Sequence, residues 1–350
     1  MAESAHPQEG PLAKSYDDNP FIVDLDSLPK EMAAPLAPFD GEPPPSPQWF
    51  KDALAKAPER REVQSNGTNI ELLIWGERGR PGLLLVHGNS AHADWWTHIG
   101  PYLAEGYRVA AMSLAGMGDS EWREHYSFPL FASDAQACVE AAGLNEANVK
   151  PIYVGHSFGG SNVFFAAVNH PDRMRGMILV DCGLTGPPPE VREMMQKRAD
   201  IARSLPGGGR VGRIYKSRAH ALSRFRLSPP QIAGEICVAD YIARTGVRET
   251  PTPDGGTGWT WKFDPDMWMK LDRSGMEGLG DVRSIRLQVP GVHILGDRSR
   301  VIERRVYGDI TGPPADLPEI LIPDSAHHIM VDQPLALVAA IRAVLATWPS

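Results

Sequence analysis

Four short apolar runs, at residues 82–86, 109–112, 151–154 and 177–180, constrain this chain more than any other feature. Each is too short for a core helix and lacks polar residues at alternate positions, so none reads as a strand with one wetted face. Strands buried on both faces belong to parallel sheets covered by helices on either side. Helical segments at 95–104, 128–142 and 161–169 fall between the runs, giving the alternation expected of an α/β sheet. The alternation stops at Gly183. It resumes with apolar runs at 291–295 and 319–322 and closes with a helix at 334–348.

The chain divides accordingly. Residues 1–60 hold 11 of the 32 prolines, so they form neither continuous helix nor central strand and read as an arm. Phe21, Ile22, Val23 and Leu25 could pin that arm to its own core or to a second subunit of a homodimer. Residues 61–183 and 289–350 form the core, opened by a hairpin whose strands, 61–64 and 70–75, flank Ser65-Asn66-Gly67-Thr68-Asn69. Residues 184–288 interrupt the sheet with helical pieces (191–204, 230–244), glycine loops and the aromatics Trp259, Trp261, Phe263 and Trp268, and read as an inserted, mostly helical cap.

The formal charge of −8 over 350 residues leaves no concentrated basic surface for a nucleic-acid partner. The densest basic stretch, Arg298 to Arg305, includes Glu303 and reads as a solvated helix face. Cys138, Cys182 and Cys237 are too few and too scattered for a disulfide framework or a zinc site, and read as buried thiols. Neither an apolar leader nor an uncharged run long enough for a bilayer is present, so no membrane partner is expected and a cytoplasmic location is the default.

Chemistry concentrates at Gly155-His156-Ser157-Phe158-Gly159, which fits G-x-S-x-G between an apolar strand and a helix. Glycines on both sides let the chain turn sharply and lift the serine hydroxyl above the sheet edge. Serine needs a base to take its proton. Of the 11 histidines, His327 and His328 sit on the loop after the late run 319–322, at the edge where ligands gather in open α/β sheets.

These pieces resemble the α/β-hydrolase superfamily over residues 61–350. The likeness rests on Leu85-Val86-His87-Gly88-Asn89, Gly116-Met117-Gly118-Asp119-Ser120, the serine turn, and Ala326-His327 followed by Asp332-Gln333-Pro334. It implies a mostly parallel central sheet with a helical cap insertion. In the family the histidine stands seven residues before the proline, which selects His327 as general base. The resemblance also implies an oxyanion hole of two backbone N–H groups, those of Phe158 and Asn89, and a structural role for His87 in holding its loop.

The commonest family pattern puts a carboxylate three residues beyond Gly296, where this chain has Ser299. Two aspartates remain as the acid: Asp181, at the end of the strand after the elbow helix as in a family variant, and Asp297. Asp181 is the first choice. His-Gly-Asn with Trp95 and Trp96 close behind is similar to haloalkane dehalogenases, but those enzymes attack with aspartate. The expectation is a serine hydrolase acting on a small carboxylic ester or lactone through an acyl-enzyme, with no metal or cofactor. Two other readings remain open. One is hydrolysis of a carbon–carbon bond beside a ketone; the other is a ligand-binding protein that has lost catalysis.

Overall fold

The computed structural model describes residues 28–184, 213–302 and 316–348, with positions 193, 197 and 314 in isolation. Eight strands form one sheet: β1 Glu59–Ser65, β2 Thr68–Trp75, β3 Gly82–Val86, β4 Arg108–Met112, β5 Ile152–His156, β6 Gly176–Val180, β7 Gly291–Gly296 and β8 Glu319–Ile322. Their order is β1-β2-β4-β3-β5-β6-β7-β8. β1 pairs antiparallel with β2, and β2 with β4; every other pairing is parallel. The expectation of a mostly parallel sheet is met.

Alternation along the strands explains why the apolar runs are uninterrupted. Leu83 and Leu85, Val109 and Ala111, and Ile178 and Val180 face one core, shared with Leu337, Ile341 and Val344 of the C-terminal helix Pro334–Thr347. Leu84, Val86, Met112 and Tyr153 face the other, which contains Phe131 and Val139 of helix Phe128–Ala142 and Val163 and Phe164 of helix Phe158–Asn169. Both faces are covered, so the strands are mostly apolar and the polar side chains buried on them, such as Glu71, need hydrogen-bond partners. Truncating any one of these core leucines or isoleucines to alanine leaves a cavity that costs about 2–5 kcal/mol.

Three local expectations fail for identifiable reasons. The helix expected at 95–104 is a 3-10 turn, Ala93–Trp96, and a separate short helix, Gly100–Leu103. Pro101 has no N–H to continue a helix arriving from Trp96, but it suits a first turn. The helix expected at 230–244 begins only at Ile236 and runs to Thr245, because the backbone before it is pulled along Asp332: Gln231 Nε2 and Gly234 N–H both donate to that carboxylate. The insertion is also not mostly helical among the described residues. Val247–Pro251 and Thr257–Trp261 pair as an antiparallel hairpin, with β-prone Val, Thr and Trp around an Asp254-Gly255-Gly256 turn.

The proline-rich stretch carries short helices, Lys30–Ala33 and Gln48–Ala55, and a 3-10 turn, Ala37–Phe39. Leu36 and Phe50 join the core shared with the C-terminal helix, and Ala53 is also buried, in helix Gln48–Ala55. Phe21, Ile22, Val23 and Leu25 lie outside the described residues, as do the glycines at 207–209, Arg304 and Arg305, and most of the helix expected at 191–204.

The insertion meets the core at the glycine loop after β4. Gly118 N–H donates to the Lys262 carbonyl at 2.7 Å and Asp264 N–H to the Gly116 carbonyl at 2.7 Å. Lys262 Nζ also pairs with Asp119 at 2.7 Å. Beneath the loop, buried Glu71 accepts from Ser113 Oγ at 2.6 Å and from Asp119 N–H at 3.1 Å. Burial raises its pKa.

Candidate active site

Ser157 lies between β5 and helix Phe158–Asn169 with φ 51° and ψ −118°, a conformation that costs a non-glycine residue about 1–3 kcal/mol. Close packing enforces it. A Cβ on Gly155 would lie 2.5 Å from the Gly159 carbonyl oxygen, one on Gly159 would lie 2.5 Å from the Val86 carbonyl oxygen, and one on Gly160 would lie 2.7 Å from Cys182 Sγ. Ser157 N–H donates to the Val180 carbonyl at 3.0 Å, tying the turn to β6.

His327 follows β8 and is buried. Its Nε2 lies 3.0 Å from Ser157 Oγ and its Nδ1 lies 2.7 Å from Asp181 Oδ1. Asp181, fully buried at the end of β6, has φ 45° and donates its N–H to the Ile294 carbonyl at 2.8 Å. Its second oxygen, Oδ2, accepts the Gly296 N–H at 2.9 Å. The arrangement fixes the tautomer: a carboxylate can only accept, so Nδ1 carries the proton and Nε2 presents its lone pair to the serine.

Asp297 stands elsewhere. It is exposed, and its Oδ1 accepts the Ser325 N–H at 3.1 Å. Ser299, at the place where the commonest pattern has the acid, is buried and donates its hydroxyl to Asp181 Oδ1 at 2.5 Å.

The two residues expected to donate backbone N–H groups, Phe158 and Asn89, both lie next to the serine turn. Phe158 is the first residue of its helix, so its N–H has no acceptor within that helix. Asn89 follows Gly88, where a Cβ would come within 3.2 Å of Ser157 Cβ, which shows how closely that loop approaches the serine. His87 holds the loop: its ring Nδ1 lies 2.6 Å from the Gly88 carbonyl and Nε2 accepts the Leu114 N–H at 3.0 Å. Burial depresses its pKa to about 3, so it stays neutral.

Two residues that sequence reasoning did not single out hold the histidine loop. Asp332 Oδ2 accepts the Ala326 N–H at 2.8 Å, and Gln231 Oε1 accepts the His328 N–H at 2.9 Å. Asp332 had been visible only as part of a motif. Gln231, nearly a hundred residues away, carried no signal at all.

Aromatic rings pack against both sequence neighbours of the serine, Phe158 and His156. Phe158 packs against Trp268, Phe128 and Phe131 with centroids 5.2, 5.8 and 5.8 Å apart. Trp95 lies 5.3 Å from His328 and 6.5 Å from His156, while Trp96 is fully buried. Trp259 and Trp261 instead pack with Tyr215 in the hairpin. The three cysteines are buried and free.

Residues 83–341 match a family model described as the alpha/beta hydrolase family. The chain is 30% identical over 129 residues to a fluoroacetate dehalogenase from Burkholderia sp, covering 35% of this chain and 40% of that one. It is 28% identical over 200 residues to a serine hydrolase-like protein from Danio rerio, covering 54% and 57%. In both cases the match spans less than two thirds of the relative's length. The thioesterase domain from the curacin biosynthetic pathway superposes with a TM-score of 0.61 at 22% identity, over 82% of this chain and 99% of that one, a likeness of fold.

Proposed function

The chain belongs to the alpha/beta hydrolase family, and from that membership we propose that it is a serine hydrolase cleaving a small carboxylic ester or lactone through an acyl-enzyme. The observation that carries the reading is the continuous line from Asp181 Oδ1 through His327 to Ser157 Oγ, at 2.7 and 3.0 Å. His327 Nε2 takes the hydroxyl proton as Ser157 Oγ adds to the carbonyl carbon. The new oxyanion rests on the N–H groups of Asn89 and Phe158, donors already fixed in place. His327 then gives the proton to the departing alcohol oxygen, and a water activated by the same nitrogen releases the acid.

The nucleophile separates this reading from dehalogenation. Displacing a halide from carbon with a serine oxygen would leave an ether, which water does not cleave under these conditions; a carboxylate nucleophile leaves an ester, which it does. The acyl group is small and apolar or aromatic, in keeping with the Trp268 and Trp95 rings packed against the serine's neighbours Phe158 and His156. The binding-protein alternative rested on the acid missing from its usual place, a ground weakened by Asp181.

The test is turnover of p-nitrophenyl esters and lactones of graded acyl size by the unaltered protein and by Ser157→Ala. The reading expects at least one short ester to be cleaved about a thousandfold faster than by the variant. Equal rates for every substrate would refute it.

A further inference from the structure

Three imidazoles meet beside the serine, and the reaction as proposed uses one of them. His156, His327 and His328 are all buried, and one ligand atom from each lies within 4.8 Å of the others. Among the described residues, His156 Nδ1 and both ring nitrogens of His328 lack a hydrogen-bond partner. The backbone of Ser228 and Pro229 lies beside His328 but outside hydrogen-bond geometry. Buried polar atoms are almost always satisfied, by protein, water or an ion, so three unsatisfied nitrogens in one cluster call for an occupant.

The outer contacts indicate which one. Imidazoles that bind metal usually donate their other N–H to a carboxylate or a backbone carbonyl, which turns a lone pair toward the ion. His327 donates Nδ1–H to Asp181, and His156 donates Nε2–H to the His327 carbonyl at 3.0 Å. Each therefore presents its remaining nitrogen as a lone pair. The ring centres stand at suitable separations. An imidazole bound at about 2.1 Å holds its ring centre about 3.2 Å from zinc, so three tetrahedral ligands set ring centres about 5 Å apart. The observed separations are 4.8, 5.5 and 4.8 Å. The ligand atoms, within 4.8 Å of one another, are wider apart than the about 3.4 Å of a zinc-bound set, so binding must draw the rings together.

We infer that His156, His327 and His328 form a binding site for a zinc-like transition ion whose occupation inhibits the enzyme. Coordination uses the His327 Nε2 lone pair that must otherwise take the Ser157 proton, so the nitrogen serves as metal ligand or as base and not both. Ions that prefer imidazole, such as Zn²⁺, fit this donor set; Mg²⁺, which prefers oxygen, does not.

The test measures binding apart from turnover. Full-length protein, freed of metal by a chelator that is then removed, is titrated with zinc chloride by calorimetry, and the labelling rate of Ser157 by a fluorophosphonate is followed in parallel. One zinc per chain is expected, with labelling slowed at least tenfold, restored by EDTA and unaffected by magnesium. His328→Phe keeps a ring without a ligand atom and should weaken zinc binding at least tenfold. If that variant does not fold, the anomalous signal from zinc-soaked crystals of the unaltered protein decides, with a peak expected among the three imidazoles. Absence of zinc binding, undiminished affinity in His328→Phe, or a peak elsewhere would each overturn the inference. Because calorimetry needs no substrate, failure of the esterase reading would leave this result intact.

Discussion

Ser299 donates its hydroxyl to Asp181 Oδ1 at 2.5 Å, the same oxygen that lies 2.7 Å from His327 Nδ1. The place after β7 that holds the acid in the commonest family arrangement is thus still joined to the imidazole. It now acts through the carboxylate at the end of β6.

Ser299→Ala should lower kcat by about tenfold with little change in KM, since a hydrogen bond to a charged group contributes about 1.5–3 kcal/mol and part of that is recovered by neighbouring donors. The adjacency also predicts that the two places can exchange roles. The double variant Asp181→Ser/Ser299→Asp should be at least tenfold more active than Asp181→Ser alone. Steady-state kinetics on one cleaved ester checks both, and a double variant no better than the single one would show that the place after β7 cannot orient the imidazole.

Asp181→Asn should reduce kcat by about 10³–10⁴-fold, because an amide can present its NH₂ to Nδ1 and favour the wrong tautomer. Asp297→Asn should stay within about threefold of the unaltered enzyme, since this exposed side chain touches Ser325 N–H and not the imidazole. The reverse ranking in the same assay would assign the acid to Asp297.

Stability should fall as pH drops below neutrality. His98 is fully buried, contacts the Met330 carbonyl through Nε2 at 2.8 Å, and has its pKa lowered to about 4 by desolvation. Between about pH 4 and 6.5 the unfolded chain binds a proton at this residue that the folded chain refuses. The contribution is complete above the unfolded pKa and is lost as pH falls toward the folded one. His92, lowered to about 4, and His87, lowered to about 3, act in the same direction. Urea unfolding at pH 6.5 and 5 should show His98→Gln losing about 1–2 kcal/mol less between the two pH values than the parent. An identical pH dependence would mean that His98 is already neutral in the unfolded chain or charged in the folded one.

How much of this could be read beforehand depended on the range of the interaction. Five of the eight sheet strands, β3 to β7, announced themselves as apolar runs because burial on both faces leaves its mark on nearly every residue. β8 was legible as an apolar run although Glu319 and Leu321 of this edge strand are exposed. Ser157 and His327 were legible for a related reason: a glycine-flanked turn after a strand and a loop after a late strand are local patterns. The choice between Asp181 and Asp297 was not local. It turns on which strand end faces the imidazole, a relation between residues 146 positions apart in the case of Asp181 and His327. Gln231 and the late start of helix Ile236–Thr245 were hidden likewise, since both answer to Asp332 about a hundred positions away. Ser299 was seen only as an absence, the missing acid. Its bond to Asp181 gives that absence a physical meaning.

The central claim is that Ser157, activated by His327, is the attacking atom, and covalent trapping tests it most directly. Intact protein treated with a fluorophosphonate and analysed by mass spectrometry should gain one adduct, mapped by peptide sequencing to Ser157, with ester turnover lost in proportion. Folded protein that takes up no label and cleaves no ester, or that is labelled at a residue other than Ser157, would contradict it.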